Sequence, residues 1–153
     1  METTDTYQKT LLSYYEDEVM GEAYFYELAK HFDESEKLIL LAKIERRAAE
    51  SVRPLLEKYG LTPTDESILK LQVRGHVERH RSYSWSNFMK YIIDRYPSYL
   101  EEFAALERMA PEEDLYALKI LTDHEVAVID FAKKEIANGP NSSAPLHQYL
   151  RNL

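Results

Sequence analysis

The chain contains no cysteine and only four glycines among its 153 residues. Without cysteine, disulfides, thiolate zinc sites, iron–sulfur clusters and a cysteine nucleophile are all excluded. The shortage of glycine disfavours a sheet protein, which needs glycine in its tight turns. No apolar run is long enough for a membrane span, and the N-terminus lacks the basic and apolar regions of a signal peptide. We therefore expect an all-α protein that is cytoplasmic and has no membrane partner.

Negative charge exceeds positive charge, because the 27 Asp and Glu residues outnumber the 19 Lys and Arg residues and give a net charge of −8. This acidity argues against nucleic acid as a partner. The chain has no glycine-rich phosphate-binding pattern and no strand–Ser–helix elbow, so neither nucleotide binding nor serine hydrolysis is predicted. A hydrophobic content of 44% instead indicates a packed helical domain.

Caps and breaks predict four long helices. They run from Thr3 or Thr4 to His31–Phe32, from Asp33–Ser35 to Tyr59–Gly60, from Ser84 to Met109 with a kink at Pro97, and from Pro111 to Asn138–Gly139. The connection at 61–81 includes a helical stretch from Ile68 to His80, in which His76 and His80 are expected on a surface helix. Because this connection can return along the bundle, we predict a four-helix bundle with one long crossover between helices two and three. The bundle is assigned to residues 1–140, and a loosely ordered tail to residues 141–153.

Four acidic residues interrupt the apolar seams of these helices. Glu18 and Glu22 lie on the seam of helix one, Glu45 on that of helix two and Glu125 on that of helix four. At about 1.5 Å of rise per residue, Glu45 and Glu125 lie at similar heights in the bundle. A carboxylate buried in an apolar interior costs several kcal/mol unless positive charge or strong donors balance it. Carboxylates from three helices are therefore predicted to converge near the middle of the bundle.

Three arrangements could accommodate these acids. Two divalent ions, iron or manganese, could bind between them, with His124 as a ligand or a hydrogen-bond donor. Arg95, at the corresponding height on helix three, could instead neutralise them by salt bridges. The third arrangement has the acids facing solvent, which follows if the seams are displaced by about 100° around the helices.

Three stretches carry a family pattern. Helix two reads Ala-x-x-Glu-x-x-Ala over residues 42–48, helix four repeats the central glutamate within residues 122–128, and helix one reads Glu-x-x-Gly followed by aromatics and alanine over residues 18–29. Over about residues 5–138 the chain resembles the ferritin-like and rubrerythrin-like four-helix-bundle superfamily. The resemblance implies a bundle that binds two irons and acts on oxygen, peroxide or iron itself.

The resemblance also indicates how this site differs from the family pattern. The spacing of the family pattern indicates Glu18 as the ligand on helix one, whereas the position along the bundle axis relative to Glu45 favours Glu22. Both residues are therefore kept as candidate ligands. Ala48 and Val128 occupy the two positions at which the family has histidine. Helix three has no glutamate near Tyr96. The resemblance therefore implies a divergent or incomplete two-metal site.

Two functional hypotheses follow. In the first, the protein binds iron or manganese and acts as an oxidoreductase on oxygen species or an unidentified small molecule. The candidate ligands are Glu18, Glu22, Glu45, Glu125 and His124. In the second, no metal is bound, Arg95 neutralises the carboxylates, and the protein is a non-catalytic interaction or structural module. We expect a homodimer formed through the remaining apolar surface of a helix face.

Overall fold

A computed structural model describes residues 2–151 and the surroundings of the side chains from residue 4 to residue 151. Over this range the chain folds into helices without strands, which confirms the all-α class. The helices are α1 (Glu2–Leu28), α2 (Ser35–Lys58), α3 (Glu66–Gln72), α4 (Arg74–His80), α5 (Trp85–Arg95), α6 (Pro97–Met109), α7 (Leu115–Ile136) and α8 (Ala144–Arg151), with a 3-10 turn at Glu112–Asp114 before α7. Within residues 2–151, no helix combines the length and the apolar character that a membrane crossing requires.

The breaks between helices follow from local backbone chemistry. Proline lacks an N–H group and cannot donate the backbone hydrogen bond that continues a helix, and the third predicted helix divides at Tyr96, just before Pro97, into α5 and α6. The predicted kink at Pro97 is therefore confirmed. Gly60 follows α2 with a φ of 67°, a left-handed conformation that glycine adopts without steric cost. The connection contains two short helices that meet at Val73 rather than one stretch from Ile68.

Packing around α1, α2 and α7 produces two apolar cores. Helix α1 packs along α2, and α7 contacts α2, α5, α6 and α8. One core contains Phe25, Leu41, Phe88 and Phe131, and the other contains Leu11, Tyr15, Val52 and Leu118. Along α2 and α7, the buried polar residues Glu45, His124 and Glu125 fall between the segments that contribute to the two cores. A polar layer thus separates the apolar interior into two parts.

The predicted loosely ordered tail is wrong for the described part of residues 141–153. Helix α8 packs against α7 and α2, and the side chain of Leu146 is completely buried. Tyr149 Oη donates a hydrogen bond of 2.9 Å to the carbonyl oxygen of Ile120 on α7. Residues 152–153 lie outside the described range. The Ser, Pro and Asn residues that indicated a loose tail form the turn before α8 and its first turn, where proline is tolerated.

Candidate metal centre

All four acidic residues of the predicted seams are buried. Their exposed fractions are 6% for Glu18, 9% for Glu22, 7% for Glu45 and 4% for Glu125. The arrangement in which these acids face solvent is therefore wrong, and the predicted helix faces are confirmed at these positions. Carboxylates from α1, α2 and α7 enter the interior of the protein, where each needs a compensating charge or hydrogen bond.

Three of the predicted residues form a compact cluster. His124 Nε2 lies 2.8 Å from Glu18 Oε2 and 2.9 Å from Glu45 Oε2. The three ligand atoms lie within 4.8 Å of one another, and His124 is completely buried. Three helices therefore direct two carboxylates and one imidazole toward a common point.

The hydrogen bond of the second ring nitrogen of His124, Nδ1, indicates which nitrogen of the ring carries a proton. His124 Nδ1 is hydrogen-bonded to the carbonyl oxygen of Leu121, one turn earlier in α7. A carbonyl oxygen only accepts hydrogen bonds, so Nδ1 carries a proton, and in the neutral ring Nε2 presents its lone pair to the carboxylates. Such a lone pair beside two anionic oxygens is repulsive. The cluster therefore requires a cation between the three atoms, or a proton on Nε2 or on one of the carboxylates.

The contacts in the cluster are close but are not aligned as hydrogen bonds. Among the residues that the structure describes, none forms a hydrogen bond of acceptable geometry with His124 Nε2, Glu18 Oε2 or Glu45 Oε2. Buried polar atoms are nearly always paired, so three unpaired atoms at one point are exceptional. Convergence without mutual hydrogen bonds is the arrangement expected of ligand atoms directed at an ion.

Burial and mutual charge shift the protonation equilibria of these groups. Burial, followed by the negative charge of Glu45, raises the pKa of Glu18 well above its ordinary value. Burial alone would lower the pKa of His124, but the charges of Glu18 and Glu45 together outweigh it and raise that pKa. Burial raises the pKa of Glu125 to about 8 although the charge of His124 opposes the shift. Without an ion, the site therefore retains protons.

Glu125 and Glu22 occupy different surroundings from the cluster. Glu125 Oε2 lies 3.7 Å from His124 Nε2, at the edge of the cluster. Glu22 is instead paired with Arg46, whose Nη2 and Nε donate to its two carboxylate oxygens at 2.7 Å and 3.0 Å. Arg46 Nη1 also contacts Glu66 of α3 at 3.0 Å. On α1, therefore, Glu18 joins the cluster and Glu22 is neutralised by an arginine.

The predicted neutralisation of the acids by Arg95 is wrong. The Arg95 side chain is exposed at the end of α5, whereas the next residue, Tyr96, is 8% exposed. Because successive residues on a helix are separated by about 100°, burial of Tyr96 on the seam turns Arg95 toward solvent. The cation that pairs with a buried seam acid is Arg46, on α2.

A cavity of about 430 Å³ adjoins the cluster. Glu18, Glu45 and Glu125 border it together with aromatic side chains from α1, α5 and α6. Gly21 also lines the cavity, and a Cβ atom at this position would lie 2.9 Å from Glu45 Oε1. The absence of a side chain at Gly21 therefore leaves the space that the Glu45 carboxylate occupies. A ligand in this cavity would lie directly beside the carboxylates.

The connection between α2 and α5 contributes a wall of the cavity that the sequence analysis missed. His80 is only 5% exposed, and its Nδ1 is hydrogen-bonded to Tyr24 Oη of α1 at 2.6 Å. The prediction of a surface helix is therefore wrong for His80, although His76 is exposed as expected. The buried residues Val73, Val77 and His80 follow helical spacing, and this short periodic face was the available signal.

Glu18, Glu45 and His124 fit a divalent ion for three reasons. Their oxygen and nitrogen donors are suitable ligands, the buried ligand atoms have no hydrogen-bond partner among the described residues, and Gly21 leaves space for the Glu45 carboxylate. Compared with known proteins, the chain matches no family model, no curated protein and no solved structure.

Proposed function

We propose that this chain is a ferritin-like helical protein that binds iron or manganese through Glu18, Glu45 and His124, and that it is an oxidoreductase acting on a small molecule in the adjoining cavity. The observation that supports metal binding is the convergence of three buried ligand atoms, from three helices, within 4.8 Å. In the ferritin-like arrangement, α1, α2, the pair α5–α6 and α7 are the four bundle helices, and the segment containing α3 and α4 is the crossover.

The donor set favours iron or manganese over softer metals. Carboxylate oxygen and imidazole nitrogen are suitable ligands for both ions, and the cluster contains no sulfur. The hydrogen bond from His124 Nδ1 to the Leu121 carbonyl orients the ring and directs Nε2 toward the two carboxylates, where it would bind an ion, as outer hydrogen bonds do for metal-bound histidines. A divalent charge also balances the carboxylates of Glu18 and Glu45.

The composition of the site favours one ion rather than two. A complete two-metal site in this class of bundle uses four carboxylates and two imidazoles. Here the cluster and its edge provide three carboxylates and one imidazole. The buried residues of the third bundle helix near the site are aromatic, because Phe103 packs against the His124 ring with the centroids 5.8 Å apart and Tyr96 lies close to Glu45 and Glu125, so this helix supplies no fourth carboxylate. Glu125 is available as an additional ligand.

When bound, the ion would supply a redox-active centre beside the cavity. The chain's own residues have separate tasks around that centre. Glu18, Glu45 and His124 would hold the ion, and Leu121 fixes the imidazole through its carbonyl oxygen. Glu125 Oε1 is buried and has no hydrogen-bond partner among the residues described, so this atom is free to hold or accept a proton at the cavity.

Metal uptake by purified, metal-free protein tests the proposal. We expect one equivalent of manganese(II), or of iron(II) without oxygen, to be retained after dialysis, with an increase in melting temperature. Glu45→Gln and His124→Gln should abolish retention. Glu22→Gln is the matched control, because Glu22 is a buried acid that binds Arg46 instead of the cluster. Failure of the wild-type protein to retain metal, or equal retention by all variants, would contradict the proposal.

A second candidate is a non-catalytic, homodimeric helical module. In it a protonated His124 neutralises Glu18 and Glu45, and the 2.8 Å and 2.9 Å contacts are ion pairs. This candidate predicts no metal uptake, together with NMR signals of a His124 ring that stays protonated well above neutral pH. Sedimentation analysis would test the dimer separately.

A further inference from the structure

Aromatic rings form two walls of the cavity beside the candidate metal centre. Tyr14 and Phe103 pack edge to face with their ring centroids 5.5 Å apart. Tyr96 and Tyr99 form a second edge-to-face pair at 5.4 Å. All four residues border the cavity. Faces of tyrosine rings carry partial negative charge and attract cations, most strongly where the cation is partly removed from water.

The charged residues that border the cavity are all acidic. Asp17 and Glu102 are exposed residues at its outer part, whereas Glu18, Glu45 and Glu125 are buried at its base. Among the described residues that line it, none is lysine or arginine. The cavity is therefore lined by acidic residues at both ends, and the exposed pair Asp17 and Glu102 supplies negative charge at its outer end.

The two histidines that border the cavity differ in their surroundings. Arg79 Nη2 donates a hydrogen bond to Nδ1 of the exposed His76 at 2.6 Å. Burial, followed by the positive charge of Arg79, lowers the pKa of His80 below its ordinary value of 6.5. The buried His80 ring therefore adds no positive charge to the cavity at neutral pH.

The outer acids act on the same space as the aromatic rings. Burial, followed by the charges of Glu102 and Asp17, raises the pKa of Tyr14. Burial and the neighbouring groups Tyr91, Glu125, Asp17 and Glu102 raise the pKa of Tyr99 to about 12. Burial is the largest cause of both shifts, and the carboxylates of Asp17 and Glu102 add to it.

Unpaired buried atoms provide an independent indication of a ligand. Glu125 borders the cavity and is only 4% exposed, and its Oε1 atom has no hydrogen-bond partner in the described part of the chain. A metal ion bound by Glu18, Glu45 and His124 would neutralise the base of the cavity. The charges of Asp17 and Glu102 would still remain at its outer part.

We propose that the cavity binds a small organic cation, an ammonium ion with an apolar substituent, whose charge lies near Asp17 and Glu102 among the tyrosine rings. The volume of about 430 Å³ is within the range of small-molecule sites. The inference rests on the proposed function in one respect: the organic cation is the class of small molecule on which the proposed oxidoreductase would act. The carboxylates of Asp17 and Glu102 disfavour anions, and a neutral molecule of the same shape lacks the charge through which they attract a cation.

Titration calorimetry with three ligands of similar shape tests the charge requirement. The probes are benzyltrimethylammonium, benzyl alcohol and benzoate, each added to the manganese-loaded and the metal-free full-length chain. We expect the ammonium ion to bind at least about ten-fold more tightly than the alcohol, and benzoate to show no binding. Equal affinity for the ammonium ion and the alcohol, or binding of benzoate, would overturn the inference.

Matched variants locate the bound charge. The double variant Asp17→Asn/Glu102→Gln should weaken ammonium binding by about ten-fold. The control, Asp94→Asn/Glu101→Gln, removes two exposed charges that do not border the cavity and should leave the affinity unchanged. Circular dichroism establishes that both variants are folded. Equal affinities of the two variants would overturn the inference.

Metal content measured on the same samples separates this inference from the proposed function. Ammonium binding without any metal uptake would support the cation site and contradict the metal-dependent function. Metal uptake without ammonium binding would support the metal site and contradict the organic-cation site. Competition between manganese(II) and the ammonium ion would place the organic charge on the metal ligands, and would therefore overturn its placement at Asp17 and Glu102.

Discussion

Gly21 of α1 and Glu45 of α2 are in such close contact that a Cβ atom on Gly21 would lie 2.9 Å from Glu45 Oε1 and 3.0 Å from its carboxyl carbon. Glycine within a helix is less favourable than alanine by about 1 kcal/mol. At this position it allows the carboxylate of Glu45 to lie against the backbone of α1. The helix–helix contact and the candidate metal ligand are therefore linked through the missing side chain.

Gly21→Ala should reduce metal affinity by at least about ten-fold, because the added methyl group displaces Glu45 from its position opposite His124. The matched control is Gly75→Ala in α4, where an added Cβ would have no neighbour within 4 Å. This control should raise stability by about 0.5–1 kcal/mol and leave metal uptake unchanged. Equilibrium dialysis measures the affinity, and unchanged binding by Gly21→Ala would show that Glu45 is not a ligand.

His124→Gln should destabilise the metal-free protein by about 3–5 kcal/mol, because the carboxylates of Glu18 and Glu45 lose the group that compensates their burial. Urea unfolding at pH 7 measures the effect. The control His147→Gln changes an exposed histidine and should cost less than about 0.5 kcal/mol. If both substitutions have the same small effect, the carboxylates do not depend on the imidazole.

Asp114→Asn should remove part of the acid sensitivity of folding. Asp114 accepts hydrogen bonds from Tyr7 Oη at 2.8 Å, Tyr59 Oη at 2.5 Å and Lys58 Nζ at 2.6 Å. Burial alone would raise the pKa of Asp114, but these hydrogen bonds outweigh it and lower the pKa below the usual 3.8. Their stabilisation is therefore complete above the unfolded-state pKa and is lost as the pH falls through the lower folded-state pKa.

Unfolding free energies of the wild-type protein and Asp114→Asn between pH 2 and pH 7 test this expectation. The variant should be less stable by about 1–3 kcal/mol at pH 7, and the difference should shrink below about pH 4. The exposed substitution Asp94→Asn provides the comparison. A difference between Asp114→Asn and the wild type that grows on acidification would have the wrong sign for a lowered pKa.

Leu146→Ala should destabilise the protein by about 2–4 kcal/mol, because this completely buried side chain anchors α8. Gln148→Ala, on the exposed side of the same helix, is the control and should have little effect. Thermal or urea unfolding measures both. Equal stability of the two variants would mean that α8 does not contribute to the folded core.

Helical periodicity was sufficient to predict that the four acidic residues of the seams face inward, although the seam residues Tyr99, Leu115 and Ile136 are exposed. The steps of three and four residues correctly buried Glu18, Glu22, Glu45 and Glu125, because the phase of a long amphipathic helix is set by many residues together. The same pattern does not reveal which partner each carboxylate contacts. Whether Arg46 or Arg95 approaches an acid depends on how the helices are placed against one another.

His124 and α8 show two further limits of prediction from sequence. His124 is adjacent to Glu125, and both are buried because α7 is contacted by α2, α5, α6 and α8 and therefore buries a wide face. A seam with one apolar residue every three or four positions does not predict that two adjacent residues of α7 are both buried. Helix α8 has only eight residues, and a helix this short is stabilised by packing rather than by its own propensity.

The polar layer between the two apolar cores has a consequence for the alignment of the helices. Sliding α2 along α1 by one turn would move the Glu45 carboxylate by about 5.4 Å from its present position beside Glu18 and His124. Leucine side chains facing one another would tolerate such sliding more readily, because one apolar contact can substitute for another. The buried charged residues therefore favour one axial register of α1, α2 and α7 over the alternatives.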